Sequence, residues 1–441
     1  MKVLERRFAL AANGTTVGTE LLAGLTTFLT MAYIVFVQPA VLSAAGMDFG
    51  AVLVATCLAT ALATTLMALL ANYPIAVAPA MGHNFFFAYS VVLAMKVPWQ
   101  IALGAVALAG AVFVLTAGIG LREHLITAIP QSLKHAIAAG IGLLIATVGL
   151  EWAGLIVGAP GTLVTLGDLH SRPVLLALFG LTLTAILAAR KIPGAFLWGI
   201  LATTAIGLPL GVVHYQGFVD VPPSIRPTLF QLDVVGAFSP SMVSVVLVFF
   251  FLALFDSVGT LVGVGEQAGL MHKGTLPRAR QALLADAIGT VAGAALGTST
   301  VTAYIESGAG VAAGGRTGLA SLVTAGLFLL SLFVHPLVKM IGGGVPVGQT
   351  TLYPVISAPL ILVGTMMIGG LRNVPWDDLT EAIPAFLTII MMPLSVSITE
   401  GVAFGLIAYV VLKAASGQYR EVHLLLYVFA VLFVARYAFL R

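Results

Sequence analysis

The stretch APAMGHNFFFAYSVVLA spans residues 78–94 and decides how this chain is predicted to fold. It is apolar enough for a membrane, yet it begins with a proline and a glycine, which interrupt helices, and with the polar residues His83 and Asn84. A second stretch, GTSTVTAYIESGAGVAAGGRTG at residues 297–318, combines glycines and polar residues in the same way. Paired interrupted segments of this kind indicate a transporter whose binding site forms where two broken helices meet.

The composition is that of a membrane protein. Of the 441 residues, 60% are hydrophobic and only 8% are charged, whereas soluble proteins contain about a quarter charged residues. The mean hydropathy is +1.09. Apolar runs of about 20 residues recur along the chain, which is the length that crosses the ~30 Å hydrocarbon core as a helix. The 48 glycines are typical of closely packed membrane helices. We therefore predict an all-α polytopic membrane protein.

The apolar runs predict fourteen membrane segments. They lie near residues 20–43, 52–71, 76–94, 100–119, 136–157, 173–190, 193–212, 240–264, 281–299, 302–315, 318–341, 352–371, 384–397 and 399–413. A last run at 423–439 is left open as a further span or an interfacial helix. The polar linker 214–239 divides the chain into a first repeat, 1–213, and a second repeat, 240–441. Because seven crossings reverse direction, the second repeat is predicted to be inverted, with an interrupted third segment in each half.

The distribution of positive charges predicts a cytoplasmic N-terminus. The charges then placed inside are Lys2, Arg6, Arg7, Arg122, Lys134, Arg190, Lys191, Lys273, Arg278, Arg280, Arg316, Arg372, Lys413 and Arg420. Those placed outside are Lys96, Arg172, Arg226 and Lys339. This excess follows the positive-inside rule. The pI of about 9.0 is explained by topology, so no nucleic-acid partner is expected.

Two acidic residues lie inside apolar segments: Asp256 in VVLVFFFLALFDSVGTLVGV and Glu306 in TAYIESGAG. An acid near the bilayer centre costs roughly 2.5–3.5 kcal/mol on insertion scales, so it usually faces a cavity or a partner and is functional. The alternative is an acid that only ties helices together. A buried acid that stays protonatable near neutral pH suits a proton-coupled carrier. For Asp286, a helix-end role and a gate role are equally open. Glu20, Glu151 and Glu400 fall at span ends and are expected to be interfacial.

In the first interrupted stretch, Asn84 carries both an amide donor and an acceptor, which suits the edge of a planar heterocycle. The alternative role is to satisfy backbone groups freed by the break. His83 is interpreted as structural, and Phe85, nearest the break, is the candidate for stacking on a ligand ring. The glycine run at 308–318 lacks Walker spacing, and the single Cys57 excludes an internal disulfide and a multi-cysteine metal site. We predict neither a metal nor an organic cofactor.

The motifs together resemble the nucleobase–cation symporter-2 (nucleobase–ascorbate transporter) family, and within it the AzgA-like permeases for adenine, guanine and hypoxanthine. The resemblance covers about residues 10 to 425. It is carried by ELLAGLTTFLTMAYIVFVQPAVL, APAMGHNFFFAYSV, FFFLALFDSVGTLVGV, LLADAIGTVAGAALGTSTVTAYIESGAGVAAGGRTGL and EAIPAFLTIIMMPLSVSITEGVAFGL.

The resemblance implies a proton-coupled importer of purine bases in the cytoplasmic (inner) membrane, working by an elevator-like movement and often as a homodimer. It implies a core of helices 1–4 and 8–11, a gate of helices 5–7 and 12–14, and third and tenth helices broken by short extended segments that pair with each other.

The motifs also carry over site residues from the family. Glu306 in AYIESG takes the position of the helix-ten acid that hydrogen-bonds the base, and Asp256 in FDSVGT that of the helix-eight acid implicated in substrate binding and proton coupling. The substrate-binding residues implied or proposed are Asn84, Phe85, Asp256, Thr260, Tyr304, Glu306 and Ser307.

Several alternatives stay open. Uracil or xanthine transport is the alternative within the family. In those branches an Asn follows the helix-ten acid and a Thr-Arg pair comes later, whereas here Ser307 and an Arg-Thr pair favour the branch for adenine, guanine and hypoxanthine. An anion channel or transporter on a related inverted-repeat fold is less favoured because two embedded acids repel anions. An intramembrane enzyme is not favoured, because the sequence contains no nucleophile–base pair and no residues at metal-ligand spacing. The preferred purine, sodium instead of proton coupling, and dimerisation are not decided by the sequence.

Overall fold

The computed structural model describes residues 2–119, 130–159, 161–271, 276–348 and 350–439. Of the charges used to orient the chain, Arg122 and Lys273 lie outside the described residues. The helices before the linker are α1 Lys2–Phe8, α2 Val17–Met31, α3 Ile34–Ala44, α4 Phe49–Leu66, α5 Met81–Phe85, α6 Trp99–Ile119, α7 Gln131–Trp152, α8 Arg172–Ala189 and α9 Ala195–Gly207. π-helical turns extend α4 through Met67–Ala71 and α5 through Phe86–Ala94.

A short helix in the linker and nine further helices complete the described fold. They are α10 Val234–Ala237, α11 Val243–Gln267, α12 Ala279–Leu296, α13 Ser307–Ala312, α14 Gly318–Ser331, α15 His335–Gly342, α16 Ser357–Met367, α17 Leu379–Ser395, α18 Ile398–Ala415 and α19 Leu424–Phe439. Short 3₁₀ turns lie at Pro240–Met242, Leu332–Val334, Ile368–Asn373 and Tyr419–Glu421.

Eight helical segments within the described residues are long and apolar enough to cross a membrane. They are Val17–Ala44, Phe49–Ala71, Trp99–Ala117, Gln131–Trp152, Arg172–Ala189, Pro240–Gln267, Gly318–Gly342 and Ile398–Ala415. The shorter apolar helices are Met81–Ala94, Ala195–Gly207, Leu379–Ser395 and Leu424–Ala438. A largely helical polytopic membrane fold is thus confirmed, while the count of fourteen crossings stays a prediction.

The helices pack in two groups. In one group α14 packs on α2 and α4, and α12 packs on α4 and α6. In the other, α7 packs against α16 and α17, α17 against α18, and α8 against α9. Small residues permit close approach: a Cβ on Gly310 of α13 would lie 2.1 Å from Thr27 Oγ1 and 2.6 Å from the Ala23 carbonyl of α2.

Three pairs of short strands accompany the helices. They are β1 Val77–Pro79 with β4 Val301–Ala303, β2 Ile156–Ala159 with β3 Thr162–Leu166, and β5 Val345–Val347 with β6 Thr350–Leu352, all antiparallel. The last two pairs join neighbouring parts of the chain. The pair β1–β4 joins the two interrupted stretches, with Val77 opposite Ala303 and Pro79 opposite Val301. Its residues are buried, so this pair lies in the protein interior.

Backbone hydrogen bonds continue beyond the strands on both sides. The Ala80 N–H donates to the Thr300 carbonyl at 3.0 Å, and the Tyr304 N–H donates to the Ala76 carbonyl at 2.9 Å. These bonds pair polar backbone groups that water cannot reach.

One threonine on each side satisfies the backbone at the start of each strand. Thr64 Oγ1 of α4 donates to the Val77 carbonyl and accepts from the Val77 N–H, both at 3.0 Å. Thr290 Oγ1 of α12 donates to the Val301 carbonyl at 2.7 Å and accepts from the Val301 N–H at 3.3 Å. The two breaks are therefore supported by the same device from the helix that precedes each of them.

The acid at the first span end is buried within the protein. Glu20 is fully buried, and its carboxylate accepts from the backbone N–H groups of Arg316 (2.8 Å), Thr317 (3.3 Å) and Ala320 (3.1 Å). These donors stand at the start of α14, where N–H groups have no partner within the helix. Glu20 thus caps a helix of the second half, which its position in the sequence did not reveal.

We expect Thr64→Val and Thr290→Val each to lower the free energy of unfolding by about 1–3 kcal/mol, because each leaves buried backbone groups of a strand without their partner. Thermal unfolding of the purified protein in detergent measures the effect. The matched controls, Thr64→Ser and Thr290→Ser, keep the hydroxyl and should unfold near the wild-type temperature. Equal melting of the valine and serine variants would contradict the supporting role.

Candidate functional site

We call the pair β1–β4 the strand crossing. A cavity of about 500 Å³ lies beside it. One wall comes from α5 and α11 and includes His83, Asp256 and Thr260. The opposite wall comes from the start of α7 and includes Gln131 and Lys134. The size and the mixture of apolar and polar walls match a small-molecule site. The cavity lies between the two packing groups, because α11 packs on α6 of the first group and α7 belongs to the second.

Asp256 stands on the cavity wall. Its side chain is exposed there, and Oδ2 accepts a hydrogen bond from Thr302 Oγ1 of β4 at 2.9 Å. Thr260, one turn later on α11, lines the same cavity, as helical spacing requires. The acid is therefore fixed to the strand crossing by a hydroxyl and open to a ligand on its other side.

Glu306 lies three residues after the end of β4 and is half-buried. Its Oε1 accepts from the Tyr33 hydroxyl at 2.8 Å, and its backbone carbonyl accepts from Thr30 Oγ1 at 3.3 Å. The neighbouring Ile305 lines the cavity, so both acids belong to the same region of the protein.

Asn84 lies next to the strand crossing, outside the cavity lining, and is fully buried. Its Oδ1 accepts from the Ser299 hydroxyl, which in turn accepts from Gln38 Nε2 at 3.2 Å. Gln38 Nε2 also donates to Thr298 Oγ1 at 2.9 Å. Within the described residues Asn84 Nδ2 has no hydrogen-bond partner. The residue thus connects the two breaks and retains one unused amide donor.

Of the predicted substrate contacts, Asp256 and Thr260 line the cavity, whereas Glu306, Asn84, Phe85, Tyr304 and Ser307 do not. Phe85 is fully buried, with its ring stacked on Tyr89 at 5.5 Å between centroids. The Tyr304 hydroxyl donates to the Pro79 carbonyl at 2.5 Å, and Ser307 Oγ accepts from the Ala76 N–H at 3.0 Å. Tyr304 and Ser307 thus hold the crossing together.

His83, interpreted as structural from the sequence, and Asp286, whose role the sequence left open, have different surroundings. His83 is 3% exposed and lies on the cavity wall. Asp286 is fully buried on α12, away from the cavity lining.

Several site residues were missed by sequence reasoning. Tyr33 and Gln38 are polar side chains inside an apolar first span, which is a signal that could have found them. Thr302 gave no such signal, because threonine is common in these segments. Gln131, Lys134 and His135 resembled an ordinary helix end at the membrane surface, yet they line the cavity.

The fold and the sequence both match known transport proteins. The structure is similar to the transmembrane domain of a cyanobacterial bicarbonate transporter, BicA, with a TM-score of 0.61 and 18% identity over 89% of this chain and 97% of that one. Residues 18–404 match the Permease family. The chain is 47% identical to the adenine permease AdeP of Escherichia coli over 99% of this chain and 96% of AdeP. It is 44% identical to the guanine/hypoxanthine permease PbuO of Bacillus subtilis over 97% of this chain and 98% of PbuO.

The protein is therefore a membrane permease and not an enzyme. It belongs to the nucleobase–cation symporter-2 family, as its motifs predict.

Thiol labelling checks which positions the cavity exposes. Gly259 lines the cavity with open space around it, whereas Ser90 is fully buried. Gly259→Cys should react with a membrane-impermeant maleimide, and the near-isosteric Ser90→Cys should not. The background is low because the only cysteine, Cys57, is buried. An unreactive Gly259→Cys in detergent would mean that the cavity is closed in solution.

Proposed function

We propose that this protein is a proton-coupled importer of purine nucleobases in the cytoplasmic membrane, with adenine, guanine and hypoxanthine as candidate substrates. The observation that carries the proposal is the near-complete alignment with an adenine permease and a guanine/hypoxanthine permease at 47% and 44% identity. The cavity beside the strand crossing has the size for a single heterocycle and carries acceptors for its N–H groups.

In the proposed binding mode, the base enters the cavity and donates N–H groups to the carboxylates of Glu306 and Asp256. Thr260 on the cavity wall adds a hydroxyl. Asn84 contributes its unused amide donor from behind the crossing, and Phe85 supplies a ring face after moving away from Tyr89. Tyr304 and Ser307 act by holding the strands that present these groups. The hydrogen bonds described above support this division into contacting and positioning residues.

Proton coupling follows from the cost of charge in a membrane. A carboxylate at the centre of the bilayer costs roughly 2.5–3.5 kcal/mol. Binding of a proton together with a neutral base removes this charge from Asp256 or Glu306, so the loaded site crosses the apolar gate more easily than the empty one. The preferential movement of the loaded site couples the two fluxes. A sodium ion in place of the proton is the alternative.

The proposed architecture has fourteen spans in two inverted repeats, 1–213 and 240–441, joined by the linker 214–239. Counted as predicted spans, the first to fourth and the eighth to eleventh form the core. The fifth to seventh and the twelfth to fourteenth form the gate, and the core moves as an elevator. The two packing groups, the paired strands and the equivalent threonines Thr64 and Thr290 support the repeat and its division. A cytoplasmic N-terminus and a homodimer complete the proposal.

Other substrates are less well supported. Uracil or xanthine would fit the same family, but the two aligned relatives are named for adenine and for guanine and hypoxanthine. Anion transport has only the likeness to BicA in its favour, and at 18% identity this likeness concerns the fold alone.

Radiolabelled uptake in a purine-transport-deficient strain tests the substrate. We expect saturable uptake of at least one purine, competition by purines but not by uracil or bicarbonate, and loss of uptake with a protonophore. Removal of sodium separates the two coupling ions, because only a sodium-driven carrier would stop. Competition by xanthine or uracil alone would overturn the assignment to adenine, guanine and hypoxanthine.

Neutral replacements test the two acids separately from the fold. Glu306→Gln and Asp256→Asn keep the side-chain shape but neither titrate nor accept as strongly. We expect uptake to fall by at least about tenfold, since hydrogen bonds to charged groups contribute about 1.5–3 kcal/mol. Residual uptake should lose its pH dependence. The control is Glu266→Gln, an exposed acid on the same helix as Asp256. Full uptake with unchanged pH dependence in Glu306→Gln would refute its coupling role.

A further inference from the structure

A second cavity, of about 370 Å³, lies on the other side of α11, where α18 and α19 approach it. We call it the C-terminal groove. Its lining includes Phe251 of α11, Leu406 of α18 and Phe433 of α19. Apart from Ser244 and Arg436, every side chain that lines it is apolar. A pocket with this lining selects a hydrocarbon chain.

The polar end of the groove lies at one end of the span. The ring centroids of Phe251 on α11 and Phe429 on α19 are 5.2 Å apart, so these two residues lie at the same depth along the two helices. Arg436 follows Phe429 by two turns, and Ser244 precedes Phe251 by two turns. Both line the groove, so they lie at the same level, close to Pro240, where the span begins. The groove therefore has an apolar body in the membrane and a polar end near the membrane surface.

The guanidinium group of Arg436 has more N–H donors than its partner Glu400 uses. Its Nη2 pairs with Glu400 Oε1 at 2.9 Å, and the Tyr437 hydroxyl donates to the other oxygen of the same carboxylate. The pair is neutral overall, so it does not demand an anion. Within the described residues, however, Arg436 Nη1 is buried and has no hydrogen-bond partner. A buried guanidinium N–H is costly unless an acceptor meets it.

We propose that the C-terminal groove is a binding site for a membrane glycerophospholipid. One acyl chain fills the apolar body, and an ester or phosphate oxygen accepts from Arg436 Nη1 at the polar end. The exposed apolar side chains Val431 and Val434 on the adjoining surface of α19 keep this region against the bilayer, which supplies the ligand. The lipid belongs to the leaflet on the side of the linker 214–239, because α11 begins on that side.

Native mass spectrometry of the full-length protein in detergent, titrated with palmitoyl-oleoyl phosphatidylethanolamine, tests the proposal. We expect the wild type to retain one phospholipid more tightly than the rest. Leu432→Trp should weaken this binding by about tenfold or more, because the indole fills the groove. Arg436→Lys should weaken it by about tenfold, because it keeps a cation for Glu400 but removes the free Nη1 donor.

The matched control is Val434→Trp, which adds the same ring to an exposed position of α19 that does not line the groove. It should bind lipid as the wild type does. Equal retention by all four proteins would show only surrounding bilayer lipid and overturn the site. A change of oligomeric mass in Leu432→Trp, with lipid retention unchanged, would make the groove a subunit interface and equally overturn it. Thermal stability of each variant checks that it is folded.

Discussion

The rest of the structure depends on one constraint: polar backbone groups inside a membrane protein must find partners within the protein. Each of the two interrupted helices alone would leave backbone N–H and carbonyl groups unpaired. Together they pair these groups with each other. β1 and β4 exchange backbone hydrogen bonds, and Thr64 and Thr290 satisfy the N–H and carbonyl at the start of each strand. Neither break is tolerable without the other, so the two halves of the chain must assemble around this crossing.

The crossing also fixes the chemistry of the site. Thr302 of β4 donates to Asp256, and Glu306 follows the same strand and is held by Tyr33. Asp256 is thus tied to the strand pair by the Thr302 hydroxyl, and Glu306 is tied to it by its place in the chain, three residues after β4. The strand pair therefore connects the two carboxylates, although they are carried by different elements.

The sequence predicted the parts of this arrangement that leave a chemical signature in an apolar run. Embedded acids such as Asp256 and Glu306 stand out because they are costly there. Their hydroxyl partners did not stand out, because tyrosine and threonine are tolerated in membranes and only tertiary contacts assign them a role. The capping role of Glu20 was also missed, since nothing local indicates that its carboxylate caps α14.

Helix α11 separates two environments that would be incompatible if they merged. The cavity and the C-terminal groove share three lining residues, Ile137, Leu252 and Phe255. A carboxylate at Asp256 needs polar surroundings, whereas the groove is apolar along nearly its whole length. These three side chains are therefore the wall that keeps hydrocarbon away from the acid. Because the wall is contributed by both α11 and α7, any sliding of one helix past the other must preserve it, or the charged site would be exposed to the apolar groove.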